Sequence, residues 1–329
     1  MFTLFSSAMD SVKQPLVSVI CLCYNHERFI AEALDSVLAQ TYTNLEIIIM
    51  DDCSTDNSVA IIQEYVRKYP QLTFMSTGTN QGNTKAFNLA WRASKGEYII
   101  DFATDDVLLP ERVARQVAAF GKLDDTYGVV YSDAAYIDDE GRHVRFHCQR
   151  NKAGAVISLA PSGDIFNHLL GRYFICPPTM MMKRQVFEEL QGYDETLAYE
   201  DFDFWVRSSR RYKYFFLDAI TTKRRLHANS LSQQSYKPGD RQLASTVVVC
   251  EKAAKLVQST DDKNALTRRL QYEARHAYLT GHYQQAEQFL DLLRQHAGLG
   301  PVYHTLHHLN KLKVDLRFLR VLYQKLLNL

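Results

Sequence analysis

The sequence predicts an α/β protein: a Rossmann-like mixed sheet flanked by helices, followed by an α-helical extension. Three observations carry this. Apolar, β-branched runs alternate with helix-period segments through the first half. Acidic pairs stand directly after two of those runs. From about Asp240 the strand patterns give way to helical ones.

The elements follow in order. Val17–Cys23 (VSVICLC) is a continuous apolar run, suited to a strand buried on both faces. Asn25 is placed to cap the next helix, in which Phe29, Ala33, Leu34, Val37 and Leu38 recur at helical spacing. Leu45–Met50 is a second buried strand ending in Asp51-Asp52. Ser58–Tyr69 is helical and Pro70 stops it. Leu72–Ser76 is a third strand, Asn83–Ser94 a helix closed by Gly96, and Tyr98–Phe102 a fourth strand. Pro110 opens a helix that runs to about Gly121. Val129–Ser132 is a further strand, and Tyr214–Leu217 a short last one. The paired prolines of Cys176-Pro177-Pro178-Thr179 suggest an extended segment before the Met180–Met182 run, whose methionines suit core packing.

Such βαβ order implies parallel strands joined by right-handed crossovers, with ligands bound outside their carboxyl ends. Asp51-Asp52 and Asp105-Asp106 both fall on that rim. Two acidic clusters on one rim repel each other unless a cation or hydrogen-bond donor lies there.

Composition bounds the function. The 329 residues carry 38 Lys+Arg against 37 Asp+Glu, a net charge of +1. A chain that wraps nucleic acid over its whole surface is far more basic, so no nucleic-acid partner is expected. No apolar run is long enough to span a bilayer, and residues 1–10 lack a basic segment before the apolar one, so a cytoplasmic setting is expected. Six cysteines without metal-ligand spacing read as small buried hydrophobes.

Five motifs occur in order: PLVSVICLCYN at 15–25, DDCSTD at 51–56, NQGNTKAFN at 80–88, GEYIIDFATDDVLLP at 96–110 and EDFDFWVR at 200–207. Together, over about residues 15–235, they resemble glycosyltransferase family 2, nucleotide-sugar enzymes of the GT-A fold. The resemblance implies a catalytic domain over 1–240, with a nucleotide-sugar half at about 15–135 and an acceptor half at about 136–240. Residues 241–329 then form a helical C-terminal domain. It implies Mn²⁺ or Mg²⁺ held by Asp106, by Asp105, which also serves the sugar-ribose region, and by His227. Tyr24 offers a stacking face and Asp51 an acceptor for a uracil imide, with Asn25 and Asp52 beside them and Lys85 reaching a phosphate. The catalytic base falls in the acidic stretch after Tyr199, at Asp201, with Glu200 and Asp203 as alternates.

The chemistry agrees with the resemblance. Expelling a diphosphate needs charge neutralisation, which a hard divalent cation on oxygen ligands supplies. An acceptor hydroxyl must lose its proton as it attacks, which a carboxylate accepts. One base with in-line attack inverts the anomeric centre. The chain also departs from the family pattern. Ala103 stands where many relatives have an acid, Leu22 replaces a proline, and Cys53 replaces a glycine. A cysteine resists positive φ, so a different loop path is expected at Cys53.

Residues 241–329 hold 13 Lys+Arg against 7 Asp+Glu. Leu309, Leu312, Leu316, Leu319, Tyr323 and Leu326 recur at three- and four-residue steps, with Lys311, Lys313, Arg317, Arg320 and Lys325 among them. This basic amphipathic pattern fits an anionic membrane surface, the catalytic domain, or a second copy of the chain in a homodimer. Tyr278–Leu290 matches half of a tetratricopeptide-like hairpin, for which a plain helix–turn–helix suffices.

The expected activity is therefore an inverting, metal-dependent transfer of one sugar from a UDP-sugar to a hydroxyl of a growing glycan. The acceptor is expected to be polyprenyl-linked, as in O-antigen or capsule assembly, with the enzyme peripheral on the inner membrane face. Two rivals remain. One is a catalytically silent sugar-nucleotide-binding subunit, favoured by Ala103. The other is a nucleotidyltransferase, disfavoured because Leu22-Cys23-Tyr24-Asn25 stands where a glycine-rich phosphate loop would be.

Overall fold

The computed structural model describes residues 14–158, 160–227 and 241–318. Strands β1 (Val17–Cys23), β2 (Leu45–Asp51), β3 (Leu72–Ser76) and β4 (Tyr98–Ala103) pair in parallel in the spatial order β3-β2-β1-β4. Helices α1 (Ile30–Leu38), α2 (Ser58–Lys68) and α3 (Asn83–Ala93) connect them. Next come β5 (Val107–Leu108), α4 (Arg112–Phe120), β6 (Tyr127–Ile137), β7 (His143–Phe146) and α5 (Phe166–Gly171). Then follow β8 (Met181–Lys183), α6 (Arg184–Leu190), α7 (Glu200–Ser209) and β9 (Lys213–Arg225). The sheet continues β4-β8-β6-β9-β5, with β8 antiparallel to both its neighbours and β6 parallel to β9. It is therefore mixed, as expected.

Alternation along β1 splits the core. Val17, Val19, Cys21 and Cys23 pack with α1 and α4, while Ile20 and Leu22 pack on the opposite face with α3 and α7. That second face is continuous with the helical extension: α8 (Arg241–Leu256), α9 (Thr260–Leu279), α10 (Tyr283–Ala297) and α11 (Pro301–Lys311). Polar ties hold the extension in place. Arg269 on α9 pairs with Glu273 at 3.0 Å and donates to the Leu169 and Leu170 carbonyls at the end of α5. Lys252 on α8 bridges Asp194 and Asp203, both at 2.6 Å. Ser259 and Asp262 form a reciprocal capping box that starts α9.

Several elements differ from the sequence expectation. The short strand at Tyr214–Leu217 is a thirteen-residue β9, because its polar half is buried with partners. Thr221 bonds Ser132, Thr222 accepts from Arg112, and Arg225 pairs with Glu32. Likewise β6 runs on to Ile137 through Asp133, whose buried carboxylate pairs with Arg150 at 2.8 Å. The proline pair forms a 3₁₀ turn at Pro177–Thr179 rather than an extended segment. Met180, Met181 and Met182 are buried, as core packing requires. Helix α4 begins at Arg112, two residues after Pro110. Tyr278–Leu290 is a helix–turn–helix, with Gly281 at φ 84° in the turn.

The tail pattern is interrupted, since α11 ends at Lys311 and Lys313 adopts φ 49°. Leu319, Arg320, Tyr323, Lys325 and Leu326 lie outside the described residues, as do the N-terminal stretch 1–13 and the boundary near Asp240. No described helix is long and apolar enough to cross a membrane. Five cysteines are buried, Cys53 is half-buried, and all six are free thiols.

Candidate active site

A cavity of about 1540 Å³ opens at the carboxyl ends of β1, β2 and β4. That exceeds the ~300–1,000 Å³ of an ordinary small-ligand pocket, leaving room for two substrates. Segments from across the chain line it: Tyr24–Phe29 after β1, Asp52 after β2, Asn83 at the start of α3, and Asp101, Ala103, Asp105 and Asp106 on and after β4. Glu200 and Asp201 of α7, Arg224 and Arg225 of β9, and His227 close the far side. The helical extension contributes Gln242, Leu243, Thr246, Arg269 and Tyr272 to the wall.

The rim at β1 and β2 is stitched by side chains. Asn25 does not cap α1. It adopts φ 57°, and its side-chain oxygen accepts from the Thr55 backbone at 2.8 Å. Glu27 and Asp56 bond across the same two loops. Tyr24, 45% exposed, presents its ring at the mouth. Asp51 is buried; one oxygen accepts from the Ser54 amide and the other has no partner among the described residues. Asp52 faces the cavity, but its carboxylate accepts from Thr77, Gln81 and Gly82, the last lying at φ 90° to open α3. Cys53 corrects the expected loop path: it adopts φ 63°, so the cysteine takes the left-handed conformation that a glycine would supply. The partners of Asp51 and Asp52 hold the turn in that shape. Lys85 is exposed on α3 and does not line the cavity.

The rim after β4 gathers Asp105, Asp106 and His227. His227 Nε2 lies 3.0 Å from Asp105 Oδ2. Burial opposes ionisation of Asp105, yet the His227 hydrogen bond outweighs it and holds its carboxyl below the ordinary range. Asp106 Oδ1 accepts from the Arg225 amide at 2.7 Å. Burial first, and then Asp105 beside it, push the Asp106 carboxyl up. Thr104 donates its hydroxyl to the Leu22 carbonyl and accepts from His26 Nδ1 at 2.9 Å, so His26 turns an accepting Nε2 outward. His26 lies near His227, with ring centres 6.5 Å apart.

Among the described residues no three His, Cys, Asp or Glu side chains converge to hold an ion by themselves. The donor set is nevertheless of the hard oxygen and imidazole kind. Mg²⁺-type sites use one or two carboxylates and complete the shell with substrate phosphates and water. Asp105 with His227, and Asp106 beside them, fits that shared arrangement.

The floor is a second acidic cluster. Asp101 on β4 accepts from the Tyr193 hydroxyl at 3.1 Å. Burial, and then the charge of Glu200, push its carboxyl up to about 7. Glu200 accepts from Asn83 at 2.9 Å, and burial raises its carboxyl. Asp201 is raised further, by burial first and then by Glu200 and Asp101. Asp203 does not reach this floor. It is fully buried on the other side of α7 and paired with Arg207 and Lys252, both at 2.6 Å.

The sequence reading missed Asp101, Arg224 and His26. Asp101 had a signal, since it is the one charged residue in the apolar run YIIDFA.

Comparison with known proteins places the chain. The family model described as Glycosyl transferase family 2 matches residues 18–191. An uncharacterized glycosyltransferase of Rickettsia prowazekii is 31% identical over 225 residues, covering 67% of this chain and 66% of that protein. Chondroitin synthase of Escherichia coli is 30% identical over 220 residues, covering 66% of this chain and 30% of the synthase. The matched part is thus less than two thirds of either relative. Among solved structures, residues 1–349 of S. aureus TarS in complex with UDP align with a TM-score of 0.67 at 17% identity, covering 91% of this chain and 87% of that one. The mannosyltransferase PcManGT of Pyrobaculum calidifontis, in complex with GDP-Man and Mn²⁺, aligns with a TM-score of 0.57 at 18% identity, covering 92% and 86%. With the family model spanning more than half of the sequence on a GT-A sheet, the chain belongs to glycosyltransferase family 2.

Proposed function

We propose that the enzyme is an inverting, metal-dependent transferase that moves a sugar from a UDP-sugar to a hydroxyl of a growing surface glycan. One observation carries the reading. A single large cavity holds a partnered acidic rim at Asp105–His227 and a desolvated carboxylate floor at Asp101, Glu200 and Asp201. The first suits a diphosphate with its cation and the second suits an acceptor hydroxyl.

Asp105 and His227 would hold the cation, with Asp106 contributing its second oxygen while its first stays on the Arg225 amide. When bound, Mn²⁺ or Mg²⁺ neutralises the departing diphosphate. Tyr24 would stack on the base, and Asp51, buried outside the cavity lining with one unpartnered oxygen, would accept the uracil imide N–H only from a base inserted past that lining. Asn25 and Asp52 would shape that pocket through the loop bonds described above. Lys85 would reach a phosphate only from the edge.

Asp201 would accept the acceptor's proton as its oxygen attacks the anomeric carbon, opposite the leaving diphosphate. Burial raises its proton affinity, which makes its carboxylate a stronger base than an exposed one. Glu200, bonded to Asn83, would support it, and Asp203 would serve the fold rather than the reaction.

The UDP bound to TarS supports a UDP-sugar donor, and the GDP-Man and Mn²⁺ bound to PcManGT support the cation. The chondroitin synthase relative supports a polysaccharide product. We place the acceptor on a polyprenyl carrier, in O-antigen or capsule assembly, with the protein peripheral on the inner membrane face through its basic tail. Calorimetric titration of the full chain with UDP tests the donor reading. Binding that strengthens with Mn²⁺ and weakens with EDTA is expected; no binding in either condition refutes it. Flotation with anionic vesicles tests the membrane setting, which fails if the chain stays at the bottom of the gradient.

A further inference from the structure

Five arginines line the cavity, and four are accounted for. Arg28 pairs with Asp139, Arg225 with Glu32 and Arg269 with Glu273, while Arg172 is exposed to water. Arg224 differs. Strand alternation turns Arg225 toward Glu32 on α1 and Arg224 to the opposite face of β9, shared with Thr222 and the Pro177–Thr179 turn. There its nearest partners are neutral: the Tyr136 hydroxyl at 3.5 Å and the Cys176 thiol. The charges of Asp106 and Asp201 bear on it, yet neither forms an ion pair with it. Among the described residues this half-buried guanidinium has no carboxylate within ion-pair distance.

A half-buried guanidinium that lines a cavity without an ion-pair partner is placed to receive an anion, and its fork is shaped to take two oxygens of one. An oxyanion of a substrate fits it. Asp106, at the phosphate end, is the carboxylate whose charge bears most on Arg224. Arg224 adjoins Arg225, whose amide binds Asp106, next to the Asp105–His227 pair. Ala103 removes a carboxylate from that same end, which shifts its charge balance toward the positive.

We propose that Arg224 binds an oxyanion of the donor diphosphate and lets the cavity hold a nucleoside diphosphate, more weakly, without the divalent cation. This rests on the donor site proposed above.

Calorimetric titration of the full chain with UDP and with uridine, both in EDTA, tests it on wild type, Arg224→Gln and Arg224→Lys. Wild type should bind UDP about 10–100-fold more tightly than uridine, the range for charge-assisted hydrogen bonds. Arg224→Gln should erase that difference and Arg224→Lys should keep part of it. The ligand-free Arg224→Gln protein should still unfold in one cooperative transition, which separates lost binding from lost folding. Equal UDP affinity for wild type and Arg224→Gln in EDTA would overturn the proposal. Equal UDP affinity together with lost binding of glucuronate would assign the oxyanion to an acceptor instead, and would overturn it too. A wild type that binds UDP neither in EDTA nor with Mn²⁺ would refute the donor site itself, and this inference with it.

Discussion

The cavity has two acidic regions built on opposite principles. On the rim, carboxylates are partnered: Asp52 accepts three hydrogen bonds, Asp56 joins two loops, and Asp105 meets His227. On the floor, Asp101, Glu200 and Asp201 crowd together with few partners, and all three are pushed toward their protonated forms. The rim spends its carboxylates on holding loops and one histidine in place. The floor keeps them reactive, at a cost to the fold. Sequence position does not separate these roles, since Glu200, Asp201 and Asp203 are near neighbours and only the first two reach the floor.

The comparison can be broken in several places. The largest effect on stability should come from Asp203→Asn, which leaves Lys252 and Arg207 short of their shared partner between α7 and α8. Breaking a buried ion pair typically costs about 3–5 kcal/mol, to be read by denaturant unfolding. A loss under 1 kcal/mol would show that this carboxylate is not a structural tie.

The floor should behave in the opposite way. The folded proton affinity of Asp101 is raised above its unfolded value. Its stabilising contribution is therefore complete below about pH 4 and is lost as pH rises through about 7. Asp101→Asn should then be more stable than wild type at pH 8, by roughly 2–4 kcal/mol. The gap should open between pH 4 and pH 7 and stay flat above. A gap independent of pH would mean that Asp101 is not desolvated in the folded state.

On the rim, Asp105→Asn removes the negative charge facing His227 and a proposed anionic cation ligand. Affinity for UDP in Mn²⁺ should fall about 10–100-fold, with little change in EDTA. Equal losses in both conditions would place Asp105 on the nucleotide rather than the cation. The smallest effect is expected at Cys53. Its left-handed backbone costs about 1–2 kcal/mol, which glycine relieves at some entropic cost. Cys53→Gly should raise stability by about 0.5–1 kcal/mol. Destabilisation would mean that the thiol's contact with the Gly78 carbonyl outweighs the strain.

How much was legible follows from these physical differences. β1 was readable to the residue, because a strand buried on both faces is written as an unbroken apolar run. β9 was not, because Thr221, Thr222 and Arg225 are buried through partners 85 or more residues distant in sequence. The acidic motifs were visible, but the three donors that tie up Asp52 come from residues 77–82 and carry no local signal. Cys53 was misjudged because sequence reports the cost of a left-handed residue and not the hydrogen bonds that impose it. The contribution of α8 and α9 to the cavity wall is a tertiary fact, set by how their apolar faces dock on α5 and α7.

The central claim is that the floor carries the chemistry while the rim holds the donor. Asp201→Asn tests it most directly, by measuring UDP affinity and steady-state transfer on the same preparation. The account predicts UDP affinity within about twofold of wild type and a transfer rate lower by 10²–10⁴-fold, roughly the worth of a general base. Undiminished transfer, or a loss of transfer matched by an equal loss of UDP binding, would contradict it.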